Sequence, residues 1–268
     1  MIRLLTLSVL LFAGATLASQ RISGGSPTDV ENVPWIAQVD FHLHYTGSWY
    51  QLCAASILNS RFVLSSAQCF SGYFYAPEYR RIRAGATYRN AGGVLVNVER
   101  AYTHPSFDLY QAGEARTPDG DIAVVKLSDV LYLSPTIQQS LIIYQDAVFP
   151  ENVPVVQAGW GRMSESGYDP SPVLLETQVY TINREYCQAR YSELFEEDVP
   201  FITDNMICAG APGGGRGACA QDEGGPLYYD NVLIGIISFN NECGNSTYPD
   251  VHTRVASYTN WIIETAVL

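Results

Sequence analysis

The sequence predicts an all-β chain closed by one helix, and three observations carry that prediction. Short apolar runs recur between clusters of Gly, Pro, Asn and Ser, the punctuation of strands and turns. Two of these runs, Asp121–Leu127 and Val232–Phe239, are continuous and of strand length, as strands buried on both faces require. No long stretch keeps a helical period until the chain's last residues.

Taken in order, Met1–Ala18 places one cation, Arg3, before an apolar run from Leu4 to Ala15 and then small residues. That pattern predicts a secretory signal at residues 1–18. A membrane anchor needs about 18 to 20 apolar residues, and this run is shorter and broken by Thr6, Ser8 and Gly14. Val94, Val96 and Val98 alternate against Leu95, Asn97 and Glu99, which predicts a half-buried strand. A seam rich in Pro, Ser and Gln, Leu131–Val153, divides the chain into halves of similar size. Pro212–Gly215 lacks the Gly-Lys-Ser/Thr ending of a phosphate loop and reads as a loop only. Ser257–Leu268 carries Trp261, Ile262 and Ile263 behind a Ser and Thr start, the one helix expected, packing the C-terminus down.

The 268 residues are 47% hydrophobic and 16% charged, enough to bury one large core or two packed small ones. Acids outnumber bases 27 to 15, and removing residues 1–21 takes away two bases, Arg3 and Arg21, and no acid. Such a surface repels nucleic acid, heparin-like polymers and anionic membranes. Lys126 is the only lysine. Lysine loses its charge near pH 10.4 whereas arginine keeps it past 12, so this surface suits an alkaline fluid such as a gut lumen. Six cysteines behind an export signal predict three disulfides, with fifteen pairings open. The absence of any CxxC pair argues against a zinc site.

Six segments then fall in a known order: Arg21-Ile22-Ser23-Gly24-Gly25, Ser65-Ser66-Ala67-Gln68-Cys69, Asp121-Ile122-Ala123-Val124, Ala158-Gly159-Trp160-Gly161, Asp204-Asn205-Met206-Ile207-Cys208 and Cys219-Ala-Gln-Asp-Glu-Gly-Gly-Pro-Leu227. Together they resemble the chymotrypsin–trypsin serine protease family (peptidase S1), most closely insect digestive trypsins, over residues 22–268. The resemblance implies two six-stranded antiparallel Greek-key β-barrels with the site in the cleft between them and a C-terminal helix. It also implies the pairings Cys53–Cys69, Cys187–Cys208 and Cys219–Cys243, and an activation bond at Arg21-Ile22 after a short propeptide, 19–21. The freed Ile22 amine would pair with Asp222, since a buried carboxylate needs a partner.

The family's serine, histidine and aspartate would fall at positions 223, 68 and 121. Only Asp121 is kept, because Gln68 replaces the histidine and Glu223 the serine. A general base must take a proton and return it near neutral pH, and the carboxamide of Gln68 has no such basicity, although its NH2 can still donate to Asp121. A carboxylate attacking a peptide carbonyl would give an anhydride, and the charge of Glu223 would stand where an oxyanion must form. A glycine that supplies one oxyanion N–H is here Gln221. The site is therefore expected to be inert, with Glu223 either raising its pKa or finding donors, for which the N–H groups of the old oxyanion hole are the nearest candidates.

The pocket departs from the family as well. Gly217 stands where trypsins place aspartate, Asp250 stands opposite as a partial substitute, and Ser238-Phe239-Asn240 replaces Ser-Trp-Gly, so that Asn240 should narrow the entrance. Asn245-Ser246-Thr247 is an N-glycosylation sequon beside the cleft rim. No cofactor or metal is expected: Gln68, Asp121 and Glu223 are too few ligands for calcium, and Ala84–Gly93 contains no acid. The reading is a secreted, monomeric pseudoprotease that binds active proteases, protease inhibitors or peptide ligands as cofactor, scaffold or decoy. The rivals are a weak or atypical trypsin-like serine endopeptidase of extracellular proteolysis or digestion, and a vestigial gut protein.

Overall fold

A computed structural model describes residues 24–73, 75–107, 118–194 and 201–267. After a two-residue strand, β1 (Ser26–Pro27), the first half forms β2 (Ile36–Leu43), β3 (Ser48–Ile57), β4 (Phe62–Ser65), β5 (Arg80–Ala84), β6 (Val94–Thr103) and β7 (Ala123–Leu127). These close into an antiparallel barrel in the order β2-β3-β4-β7-β6-β5. The second half adds β8 (Leu141–Ile142), β9 (Pro154–Gly159), β10 (Leu175–Ile182), β11 (Met206–Gly210), β12 (Pro226–Tyr229), β13 (Val232–Phe239) and β14 (Asp250–Arg254). Six of them run β10-β11-β14-β13-β12-β9, and pairing of β9 with β10 closes a second barrel, while β1 extends β10 and β8 lies parallel to β13.

The continuous apolar runs now have a cause. Val125 and Leu127 of β7 point into the first barrel with Val39, Ile57, Ile82, Val96 and Val98. Val124, on the opposite face of the same strand, joins Phe62, Leu64 and Ile122 against Leu233 and Ile236 of β13. Ile234 and Leu227 fill the second barrel with Val155, Val179 and Ala209. A strand that is inside its own barrel on one face and in the joint on the other cannot alternate apolar with polar. In β6 the alternation holds from Leu95 to Glu99, where Val96 and Val98 are buried and Leu95, Asn97 and Glu99 exposed, but Val94, expected on the buried face, is exposed at the strand's start.

The C-terminal helix, α2 (Thr259–Thr265), is shorter than the expected Ser257–Leu268, because Val255–Ser257 forms a 3-10 turn before it. Its Ile262 is buried in the joint between the barrels, while Ile263 is exposed. The sequence reading of one helix is also corrected, since α1 (Arg184–Ser192) is a second. Only Cys187 and Tyr191 of α1 turn inward, a four-residue spacing too sparse to register as a period. Its start is set by Asn183, whose side chain accepts a 2.7 Å hydrogen bond from Tyr186 N. Three disulfides are present, Cys53–Cys69, Cys187–Cys208 and Cys219–Cys243. Each contributes about 2 to 4 kcal/mol by restricting the unfolded chain. Among the described residues, no helix is long and apolar enough to cross a membrane.

Candidate functional site

The site is assembled from both barrels. Gln68 lies on the 3-10 turn Ala67–Phe70 that follows β4, and Asp121 stands just before β7. Gln68 N donates to Asp121 Oδ1 at 2.9 Å, and Gln68 Nε2 donates to Asp121 Oδ2 at 2.6 Å and to the Ser238 carbonyl at 2.8 Å. Both hydrogens of that amide are therefore committed. Ser238 Oγ, from β13, donates to Asp121 Oδ2 at 2.6 Å. Burial raises the Asp121 pKa, against which the Ser238 and Gln68 hydrogen bonds work. Carboxylate and carboxamide form a closed, satisfied unit, with no basic atom facing outward.

Glu223 turns back on its own loop. Its Oε2 accepts the N–H of Gln221 at 2.7 Å, and its carbonyl accepts Ala54 N at 2.8 Å. Burial raises its pKa, opposed by backbone donors at Glu223 and Gln221. Gln221 has φ +79°, a region that a side chain with a Cβ resists. It is held there from the first barrel: Gln51 Nε2 donates to Gln221 O at 2.8 Å, and Arg89 Nη2 donates to Gln221 Oε1 at 3.0 Å. Arg89 also donates from Nε to Gln51 Oε1 at 2.7 Å and from Nη2 to Gln51 O at 2.6 Å. This clamp escaped sequence reasoning, because its members lie 38 and 132 positions apart.

Two further carboxylates are buried nearby. Asp222 accepts Gly161 N at 2.7 Å and Cys219 N at 3.1 Å, and burial pushes its pKa up to about 7. A Cβ on Gly159 or Gly161 would come within 2.1 or 2.4 Å of that carboxyl group, so only glycine fits. Among the described residues no Arg, Lys or His pairs with Asp222. Its expected partner, Ile22, and the bond to Arg21 lie outside the described residues.

Asp250, at the start of β14, accepts Ala218 N at 2.7 Å and Gln157 Nε2 at 3.0 Å, and burial pushes it up to about 7. Its Oδ2 would be 2.6 Å from a Cβ at Gly217, so the carboxylate occupies the space a side chain there would need. Asn240 Nδ2 donates to Ala218 O at 2.5 Å, on the same residue whose N–H Asp250 holds. Phe239 points elsewhere, its ring 5.7 Å from Tyr191 and 5.5 Å from Phe201. Behind Asp250, Gln157 Nε2 lies 2.8 Å from His252 Nε2, and His252 Nδ1 lies 3.2 Å from Ile207 O. Burial holds His252 down to about 4, so the ring is neutral, donating from Nδ1 and accepting at Nε2. Sequence reasoning missed this network, although Gln157 falls two residues after inward-facing Val155 on β9.

At the rim, Asn245 Oδ1 accepts Thr247 N at 2.6 Å and Tyr248 N at 3.0 Å, and its Nδ2 donates to Glu242 at 2.7 Å. Glu165 approaches Cys243 Sγ at 3.1 Å, but that sulfur is bonded to Cys219 and is no metal ligand.

A family model described as trypsin matches residues 22–262. Alkaline trypsin B of Manduca sexta is 35% identical over 260 residues, covering 97% of this chain and 96% of that one. Trypsin CFT-1 of Choristoneura fumiferana is 35% identical over 244 residues, 91% and 90% of the two chains. The vitellin-degrading protease of Bombyx mori is 31% identical over 244 residues, 91% and 85%.

Proposed function

This chain belongs to the trypsin family, and we propose that within it the chain is a secreted, non-catalytic homologue that binds other proteins through surfaces outside its cleft. The observation that supports this reading most directly is the 2.7 Å bond from Gln221 N–H to Glu223 Oε2. In the family's layout that N–H is an oxyanion donor and position 223 carries the nucleophile. The acid thus satisfies itself with the group that a substrate carbonyl would need. Gln68, at the position of the general base, bonds Asp121 and offers no basic atom that could accept a proton.

The pocket argues the same way. Asn240 bridges toward Ala218 O, and Asp250 takes Ala218 N–H, so both polar groups that would line a side-chain site are engaged. A cofactor or scaffold role needs neither pocket nor oxyanion hole, whereas an inhibitor decoy needs both to stay open. The leader reading supports secretion. An alkaline fluid is supported by the single lysine and by relatives whose names call them alkaline trypsins. The runner-up, a weak endopeptidase, draws on the retained Asp121–Ser238 bond.

The test is reaction of the chain, cleaved after Arg21, with a serine-directed organophosphonate, alongside peptide turnover. No label should attach, and turnover should stay below about 10⁻⁵ of an active homologue, as loss of base and nucleophile dictates. Stoichiometric labelling would establish the endopeptidase instead.

A further inference from the structure

Two of the four histidines are engaged within the molecule: His104 Nδ1 lies 2.7 Å from Ser106 Oγ, and His252 belongs to the Gln157 network. His42 and His44 differ. They flank Leu43 at the end of β2, where the period of two puts alternate residues on one face. Both rings lie against Tyr79, at 6.2 and 4.1 Å, and their own centroids are 5.4 Å apart and perpendicular. His44 is exposed and His42 half-buried. Neither imidazole hydrogen-bonds to another described residue.

An ion bound at 2.0–2.1 Å by one nitrogen of each ring lies about 3.2 Å from each centroid, and a tetrahedral angle then separates the centroids by about 5.2 Å. The observed pair comes within a few tenths of an ångström of that spacing. The geometry points to a two-histidine site, His42 and His44, for a borderline divalent transition-metal ion, its remaining positions open to water or to a partner's donor. Imidazole suits Cu²⁺, Ni²⁺ and Zn²⁺, and Cu²⁺ binds tightest of these. The nearby cation, Arg81, does not oppose the ion with a free charge, because it is paired with Asp40 at 3.0 Å while stacked 4.4 Å from Trp49. The site is independent of the cleft, and the inference does not need the chain to be catalytically inert.

Trp49 supplies the readout. It faces His42 across the β2–β3 ladder with ring centroids 5.1 Å apart, so a bound Cu²⁺ quenches its fluorescence at contact range. The full chain is titrated with Cu²⁺, then Zn²⁺, at pH 8 in a non-coordinating buffer. Quenching should saturate at one Cu²⁺ per chain, and Zn²⁺ should compete for it. His44→Gln, an exposed change that leaves the fold intact, should weaken binding at least about tenfold, at or beyond the loss typical of disturbing a ligand's surroundings. His104→Gln should leave the titration unchanged, and Trp49→Phe should abolish the quench while metal uptake, followed by equilibrium dialysis, persists. Equal quenching in wild type and His44→Gln, or quenching that survives Trp49→Phe, would overturn the site.

Discussion

Replacing Asp250 by Asn should remove one component of the pH dependence of folding. Burial lifts this carboxyl from its ordinary 3.8 to about 7. At 1.36 kcal/mol per pH unit that displacement corresponds to about 4 kcal/mol. Between those two pH values the folded chain holds a proton that the unfolded chain has released. Its contribution is therefore full below pH 3.8 and lost as pH rises to about 7. Asp222, also lifted to about 7, works in the same direction. His252, held down to about 4, works in the opposite one, its contribution being present above pH 6.5 and lost as pH falls. Both remain in Asp250→Asn, and the Asp250 charge is only the last and smallest of the influences on Asp222, after burial and its backbone donors, so the difference between variant and wild type reports chiefly Asp250. The amide oxygen can still accept Ala218 N–H, and any packing change adds an offset independent of pH. Urea unfolding at pH 4, 6 and 8 with disulfides intact should show the variant gaining about 4 kcal/mol on the wild type across that range. A difference constant within about 1 kcal/mol would refute the account of Asp250 as a buried acid that ionises at a cost.

Three other outcomes are expected. Glu223→Ser alone should stay unreactive toward an organophosphonate, and only Gln68→His, Glu223→Ser and Gln221→Gly together should label, because the groups act as a unit; labelling of the single variant would mean that Gln68 is no obstacle. A Kunitz-type trypsin inhibitor should bind with a Kd of about 1 μM or weaker, lacking the central anchor of its usual target; nanomolar binding by calorimetry at neutral pH would favour the decoy role over the closed cleft. Arg89→Ala leaves Gln51 Oε1, Gln51 O and Gln221 Oε1 short of a donor, which should cost about 1 to 3 kcal/mol; an unchanged urea midpoint would show the clamp to be idle.

What the sequence disclosed followed from local pattern and from the family resemblance. Strand β13 was legible because eight consecutive residues, Val232–Phe239, fit a strand and nothing else. The turn of Glu223 onto a neighbouring N–H was legible because a buried carboxylate two positions from a backbone donor has few alternatives. Spacing left fifteen disulfide pairings open, and only the resemblance selected the three that form. Helix α1 was obscured because its inward face is two residues wide. The Gln157–His252 contact spans 95 positions, and the bond from Asn240 to Ala218 spans 22. Partners of this kind are chosen by tertiary packing, and a linear pattern carries no trace of them.

The joint between the barrels also bears on how the chain is made. Phe62, Leu64, Ile122 and Val124 emerge early in synthesis, yet the surface they cover is completed by Leu233, Ile236, Val255 and finally Ile262. The last of these has not yet been synthesised when the first barrel has every strand it needs. Until then that barrel has one apolar flank uncovered, which makes it a natural client for holding factors until the C-terminal turn of helix arrives. A chain truncated before Thr259 would keep twelve barrel strands and three disulfides but lose the piece that seals them, and its fate would be decided by that uncovered joint rather than by the cleft.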